Sequence, residues 1–182
     1  MKRNLFFVIY GASGSGKSTL LNFIRNYKGI SIHTKDTSRG LRKNESGDNK
    51  DVRFVNVFNK NDYDFLYKQW GNYYGIRSDL IDSAIKNKEF HFVIIGEINI
   101  LKKFILKYPN SIKIYVHYDP ADIPKRFKNR DSLEYNKRKE KIDKQYLGFI
   151  KNNTLFDHVI VNFWDIKHAK NQLLNIIKLS QD

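Results

Sequence analysis

The chain has 182 residues, no cysteine, and 33 basic against 19 acidic residues, for a net charge of +14. Such a length fits one domain with its own core, and the lack of cysteine excludes disulfides and thiolate metal sites, as suits an intracellular protein. Lys2-Arg3 precedes only six apolar residues, too few for a signal-peptide core or a membrane span, so a soluble, cytoplasmic protein is expected.

Apolar and amphipathic runs alternate from end to end, the pattern of an α/β sheet. Leu5–Tyr10 reads as the first strand and Ser18–Asn26 as the first helix. Between them Gly11 to Thr19 spell GASGSGKST, which satisfies G-x-x-x-x-G-K-[ST] through Gly11, Gly16, Lys17 and Ser18. In such a loop glycines let successive backbone N–H groups converge on phosphate oxygens at a helix N-terminus. Gly11, Ala12, Ser13, Gly14, Ser15, Gly16, Lys17, Ser18 and Thr19 are therefore the expected binding site for a nucleoside triphosphate. Lys17 would reach the β- and γ-phosphates, and the Ser18 hydroxyl would ligate Mg²⁺.

Further strands are expected at Ile30–His33, Val52–Val57, Phe90–Ile95, Ile112–His117 and His158–Val161. Helical spacing marks Asn61–Gln69, Ser78–Lys86, Ile100–Tyr108, Ala121–Asn129, Leu133–Lys151 and Asp165–Leu179. Thr34–Asp51 and Asn129–Glu140 are long, charged and unlike core strand or core helix; on a phosphate-binding fold such segments serve as lids or substrate loops. The five histidines show no metal-ligand spacing and read as structural or surface residues. The basic residues are scattered rather than gathered in one tract. The charge thus favours small anionic substrates over nucleic acid.

Four segments beyond the loop carry a resemblance to one family. Thr37-Ser38-Arg39-Gly40-Leu41-Arg42, Gly71-Asn72-Tyr73-Tyr74-Gly75, Lys125–Arg130 with Asn136-Lys137-Arg138, and Val159-Ile160-Val161-Asn162 resemble, in order and spacing, the substrate loop, G-N-Y-Y-G element, arginine lid and late strand of guanylate kinases. The resemblance implies an α/β, three-layer P-loop kinase with a parallel core sheet, a small substrate-binding insert over about 34–75 and an arginine lid over about 126–152. The core would then comprise 1–33, 76–125 and 153–182. It implies transfer of the γ-phosphate of Mg·ATP to GMP or dGMP. A monomer or homodimer with no membrane partner is expected, and the sequence does not choose between the two states. Arg39 and Arg42 would hold the acceptor phosphate with Tyr74, while Arg126, Arg130 and Arg138 close over the donor phosphates. Asn162 would lie beside the adenine. Phosphoryl transfer to a monophosphate needs no strong base, because the acceptor is mostly dianionic at neutral pH.

The departures from the family pattern cluster at base recognition. An Asp-x-Asp pair becomes Ile95-Gly96-Glu97, leaving Glu97 as the acid that reads a base or holds Mg²⁺ through water. Val52 stands for a tyrosine, Ile76 for a serine or threonine, Lys35 for a serine, and Phe65 for a glutamate. Lys35, pointing inward, would suit an acceptor with extra negative charge. Two alternatives therefore stand beside GMP: another phosphorylated acceptor such as ribose 1,5-bisphosphate, and a non-catalytic nucleotide-binding or scaffold module.

Overall fold

The computed structural model describes residues 5–41, 52–69, 71–86, 90–122, 132–163 and 165–181, with backbone alone at 120 and 132–138. Nine strands are described: β1 (Leu5–Tyr10), β2 (Ile30–His33), β3 (Lys35–Thr37), β4 (Val52–Phe54), β5 (Phe65–Gln69), β6 (Asn72–Ile76), β7 (Phe90–Ile94), β8 (Ile112–His117) and β9 (His158–Val161). The helices are α1 (Lys17–Ile24), α2 (Ser78–Ala84), α3 (Ile98–Lys107), α4 (Ser132–Ile150) and α5 (Ile166–Leu179).

Five strands form a parallel sheet in the order β2-β7-β1-β8-β9. Both faces of the central strands β1 and β7 are covered, which is why these strands read as nearly continuous apolar runs. Strand alternation sorts them into two cores. Phe7, Ile9, Phe92, Ile94, Ile114 and Val116 face α1 and α5. Phe6, Val8, Tyr10, Val93 and Tyr115 face α3 and the second sheet. The result is the expected three-layer α/β architecture.

That second sheet has the order β4-β3-β6-β5. Here one expectation is overturned: Asn61–Gln69 is not a helix but a 3₁₀ turn at Lys60–Asp62 followed by β5. Apolar residues at 63, 66, 67 and 70 fit helical spacing, yet those at 63, 65 and 67 fit alternation equally well. Pairing decides between them. β5 gains a full antiparallel ladder with β6, and Phe65 packs on Phe104 of α3 at 5.0 Å between ring centres. β3 and β6 had no strand expectation, and the strand at Val52 ends at Phe54. Of the helix expected at Ala121–Asn129, only a 3₁₀ turn at Pro120–Asp122 falls among the described residues.

Candidate functional site

The loop emerges from the carboxyl end of β1, between β7 and β8, where a doubly wound sheet opens toward ligands. Two glycines are sterically required there. A β-carbon on Gly11 would lie 2.6 Å from the Val116 carbonyl oxygen. Gly16 has a φ of 97°, and a β-carbon on it would collide with the Asn162 amide. Gly16 is also the N-cap of α1 and supplies no side chain, so the first turn keeps its N–H groups pointed at the loop's mouth. The Lys17 ammonium lies across this mouth, donating to the carbonyls of Gly11 at 2.8 Å and Ala12 at 2.7 Å. Ser18 follows on the exposed first turn.

Asn162, just past β9, is buried, and its Nδ2 donates to the Ser15 carbonyl at 2.8 Å. The structure therefore places this residue beneath the loop as one of its supports. Tyr118 adds a second support, with its hydroxyl 3.3 Å from the Ser13 carbonyl.

A second group of predicted residues sits on the small sheet. Thr37 pairs with Tyr74 across β3 and β6. The Thr37 hydroxyl donates to the Tyr73 carbonyl at 3.0 Å and accepts the Arg39 N–H at 3.2 Å. Ser38 locks the same junction in both directions with Tyr73. The Arg39 backbone is thus pinned to the end of β3, with its guanidinium 4.8 Å from the centre of the Phe54 ring and donating to the Gly40 carbonyl at 3.0 Å, and Tyr74 is buried. Tyr74 stacks on Tyr67 at 5.2 Å. Lys35 lies on the half-buried edge of β3, paired with Val52. Its neighbour Asp36 is buried and accepts both a bidentate pair from Arg53, at 2.7 and 2.6 Å, and the Tyr63 hydroxyl at 2.9 Å. Burial first, then the Asp36 hydrogen bond, push the Tyr63 hydroxyl up to about 12.

Between the two sheets and α4 lies a cleft of about 380 Å³, lined by Lys68 and Gln69 of β5, Glu97, and Lys141, Lys144 and Gln145 of α4. Glu97 and Lys141 approach to 3.6 Å across it. Tyr10 closes its floor. Burial and then the Glu97 charge hold the Tyr10 hydroxyl far above the usual phenol range. Gln145 is 4% exposed and was not foreseen from sequence. Its Oε1 accepts the Ser13 N–H at 2.9 Å and its Nε2 donates to the Gly96 carbonyl at 2.5 Å. Its place three residues after buried Ile142 and four before Phe149 is the signal in the sequence that it turns inward, though that spacing does not name its partners.

Three of the four substituted positions, Val52, Phe65 and Ile76, carry hydrocarbon side chains, and Lys35 is the exception. Phe65 and Ile76 are cross-strand partners, 3% and 1% exposed, within the core cluster that contains Phe104; Val52 is also buried. Arg42, Arg126 and Arg130 lie outside the described residues, and Arg138 is described only by its place on α4. Among the described residues no group of three His, Cys, Asp or Glu side chains is placed to hold a metal, and no helix is long and apolar enough to cross a membrane.

No family model matches the chain. A guanylate kinase of Wigglesworthia glossinidia brevipalpis is 28% identical over 197 residues, covering 97% of this chain and 88% of that protein. A guanylate kinase of Fusobacterium nucleatum is also 28% identical, over 189 residues, covering 98% of each. The crystal structure of guanylate kinase from Anaplasma phagocytophilum superposes with a TM-score of 0.67 at 19% identity, covering all of this chain and 88% of that one. The resemblance drawn from the motifs is borne out over nearly the full length, and the fold is shared.

Proposed function

We propose that this chain, guanylate-kinase-like in both sequence and fold, transfers the γ-phosphate of Mg·ATP to GMP or dGMP. The observation that carries the reading is the pairing of a complete phosphate loop on the core sheet with Arg39 and Tyr74 on the second sheet. Transfer between two phosphates requires one anion site for each, since the reaction rests on positioning and charge neutralisation.

Lys17, lying on the Gly11 and Ala12 carbonyls, is placed to turn toward incoming β- and γ-phosphate oxygens. The exposed Ser18 hydroxyl offers one hard oxygen ligand. That fits Mg²⁺, which takes its remaining ligands from substrate phosphates and water rather than from a protein cage. Bound there, the ion would neutralise charge on the β- and γ-oxygens. Arg39 would fix the acceptor phosphate with the geometry of a fork, and the Tyr74 hydroxyl would add a neutral donor. The acceptor needs no base. Its phosphate already exposes an anionic nucleophile at neutral pH.

Glu97 is the acid left to read guanine's N1–H and amino group from the cleft. With Phe65 and Ile76 committed to the core, recognition in this chain rests on fewer polar groups than the family pattern supplies. A sugar bisphosphate acceptor and a non-catalytic scaffold find no support in these relatives. ADP release across a panel of nucleoside monophosphates tests the reading. Turnover with GMP and dGMP is expected, and turnover with none of them would overturn it.

A further inference from the structure

We infer that Gln145 is a positioning residue that couples the donor loop to the acceptor side of the cleft, an inference that rests on the kinase reading above. Its side chain bridges two segments remote from it and from each other in sequence: Ser13 in the phosphate loop and Gly96 at the carboxyl end of β7. The amide orientation is fixed by chemistry. A backbone N–H cannot accept and a carbonyl cannot donate, so Oε1 must face Ser13 and Nε2 must face Gly96. The residue is buried, so neither bond is easily replaced by water.

The seat of Gln145 is equally specific. Lys141, Gln145 and Gly148 lie on one face of α4 at helical spacing. Lys141 pairs with Glu97 at 3.6 Å, on the residue next to Gly96. At Gly148 a β-carbon would stand 2.9 Å from the Tyr10 hydroxyl oxygen, so a glycine lets the helix approach the end of β1. The Tyr10 hydroxyl in turn donates to the Gln145 backbone carbonyl at 3.0 Å. One stripe of α4 therefore touches the end of β1, the phosphate loop and the strand end that carries Glu97. A shift at Glu97 on acceptor binding moves Gly96, and through Gln145 it moves Ser13. The same linkage runs in reverse when the loop closes on phosphates.

The test is the affinity of the full chain for a non-hydrolysable ATP analogue with Mg²⁺, measured with and without saturating GMP. In the wild type GMP should tighten analogue binding by about tenfold, a usual size for coupled sites. Gln145→Leu, similar in volume but without polar atoms, should bring that ratio to about one. Gln145→Glu keeps an acceptor for Ser13 and, when ionised, has no donor for Gly96; whatever its affinity for the analogue alone, it should lose the ratio at a pH where the carboxylate is ionised. A purely structural role would lower melting temperature and shift both affinities together, leaving the ratio intact. Either folded variant with the wild-type ratio, or a wild type with a ratio of one, overturns the inference. Gln145→Glu carries the test if Gln145→Leu does not fold. Failure of the underlying reading is seen separately, as no GDP from ATP and GMP in the wild type.

Discussion

Asn162 and Gly16 occupy one another's space: the asparagine amide fills the volume a β-carbon on Gly16 would need, while its Nδ2 holds the Ser15 carbonyl at 2.8 Å. The loop's shape is thus set from below by a residue that follows the last strand of the sheet.

Asn162→Ala should remove this support and raise the KM for ATP by about tenfold, the equivalent of one lost hydrogen bond of about 1.4 kcal/mol. Gly16→Ala should be worse, because it adds a collision to a left-handed backbone. Combining the two should restore only part of the loss, since the smaller partner relieves the collision but not the backbone cost of about 1–2 kcal/mol. Steady-state kinetics on the two single variants and the double variant measure this. Full rescue in the double variant would contradict it.

Arg39→Met should raise the KM for the acceptor phosphate and cut kcat by about a hundredfold or more, while leaving the KM for ATP within about threefold. Arg39→Lys should recover little, because a point charge does not replace a fork on phosphate oxygens. Kinetics varying each substrate in turn separate the two effects. A change confined to ATP would place Arg39 on the wrong side of the reaction.

Asp36 holds β3 to β4 and to Tyr63, three residues before Arg39. Asp36→Ala should destabilise the fold by about 2 kcal/mol, a figure kept low because the Arg53 side chain is 54% exposed and can rehydrate. At this chain length the melting temperature should fall by about 4–8 °C. Acceptor KM should rise with it, since the strand that carries the loop to Arg39 loses its anchor. Thermal unfolding and acceptor kinetics check both.

His33 and His91 meet at 3.1 Å, stacked against Phe6, which itself stacks on Tyr108. Burial first, and then His91, lower His33 from 6.5 to about 4. The folded state therefore resists a proton that the unfolded chain takes readily. The stability this represents is whole above pH 6.5 and is lost as the pH falls from 6.5 toward 4, by about 3 kcal/mol in all. Chemical denaturation across that range should show the slope in the wild type and a shallower one in His33→Gln. Equal slopes would contradict the assignment.

The limits of the sequence follow from which residues set each element. β1, β2, β8 and β9 span the residues expected from sequence, most plainly β1, which is apolar throughout because both its faces are covered. β3 was invisible for the opposite reason. Lys35-Asp36-Thr37 has no apolar residue, and its burial is made tolerable by Arg53, Tyr63 and the Tyr73 carbonyl, partners found only after folding. β5 carried two periodicities, and a ladder with β6 chose between them. The phosphate loop was legible because its chemistry is local. Gln145 was not, because its partners lie 132 and 49 residues away.

The most direct test of the central claim is the nucleotide balance when the purified protein is incubated with Mg·ATP, with and without GMP. One GDP and one ADP should form for each GMP consumed, with little ADP when GMP is absent, since closure around both phosphates excludes water. Rapid ADP formation without GMP, or no GDP with it, would contradict the account.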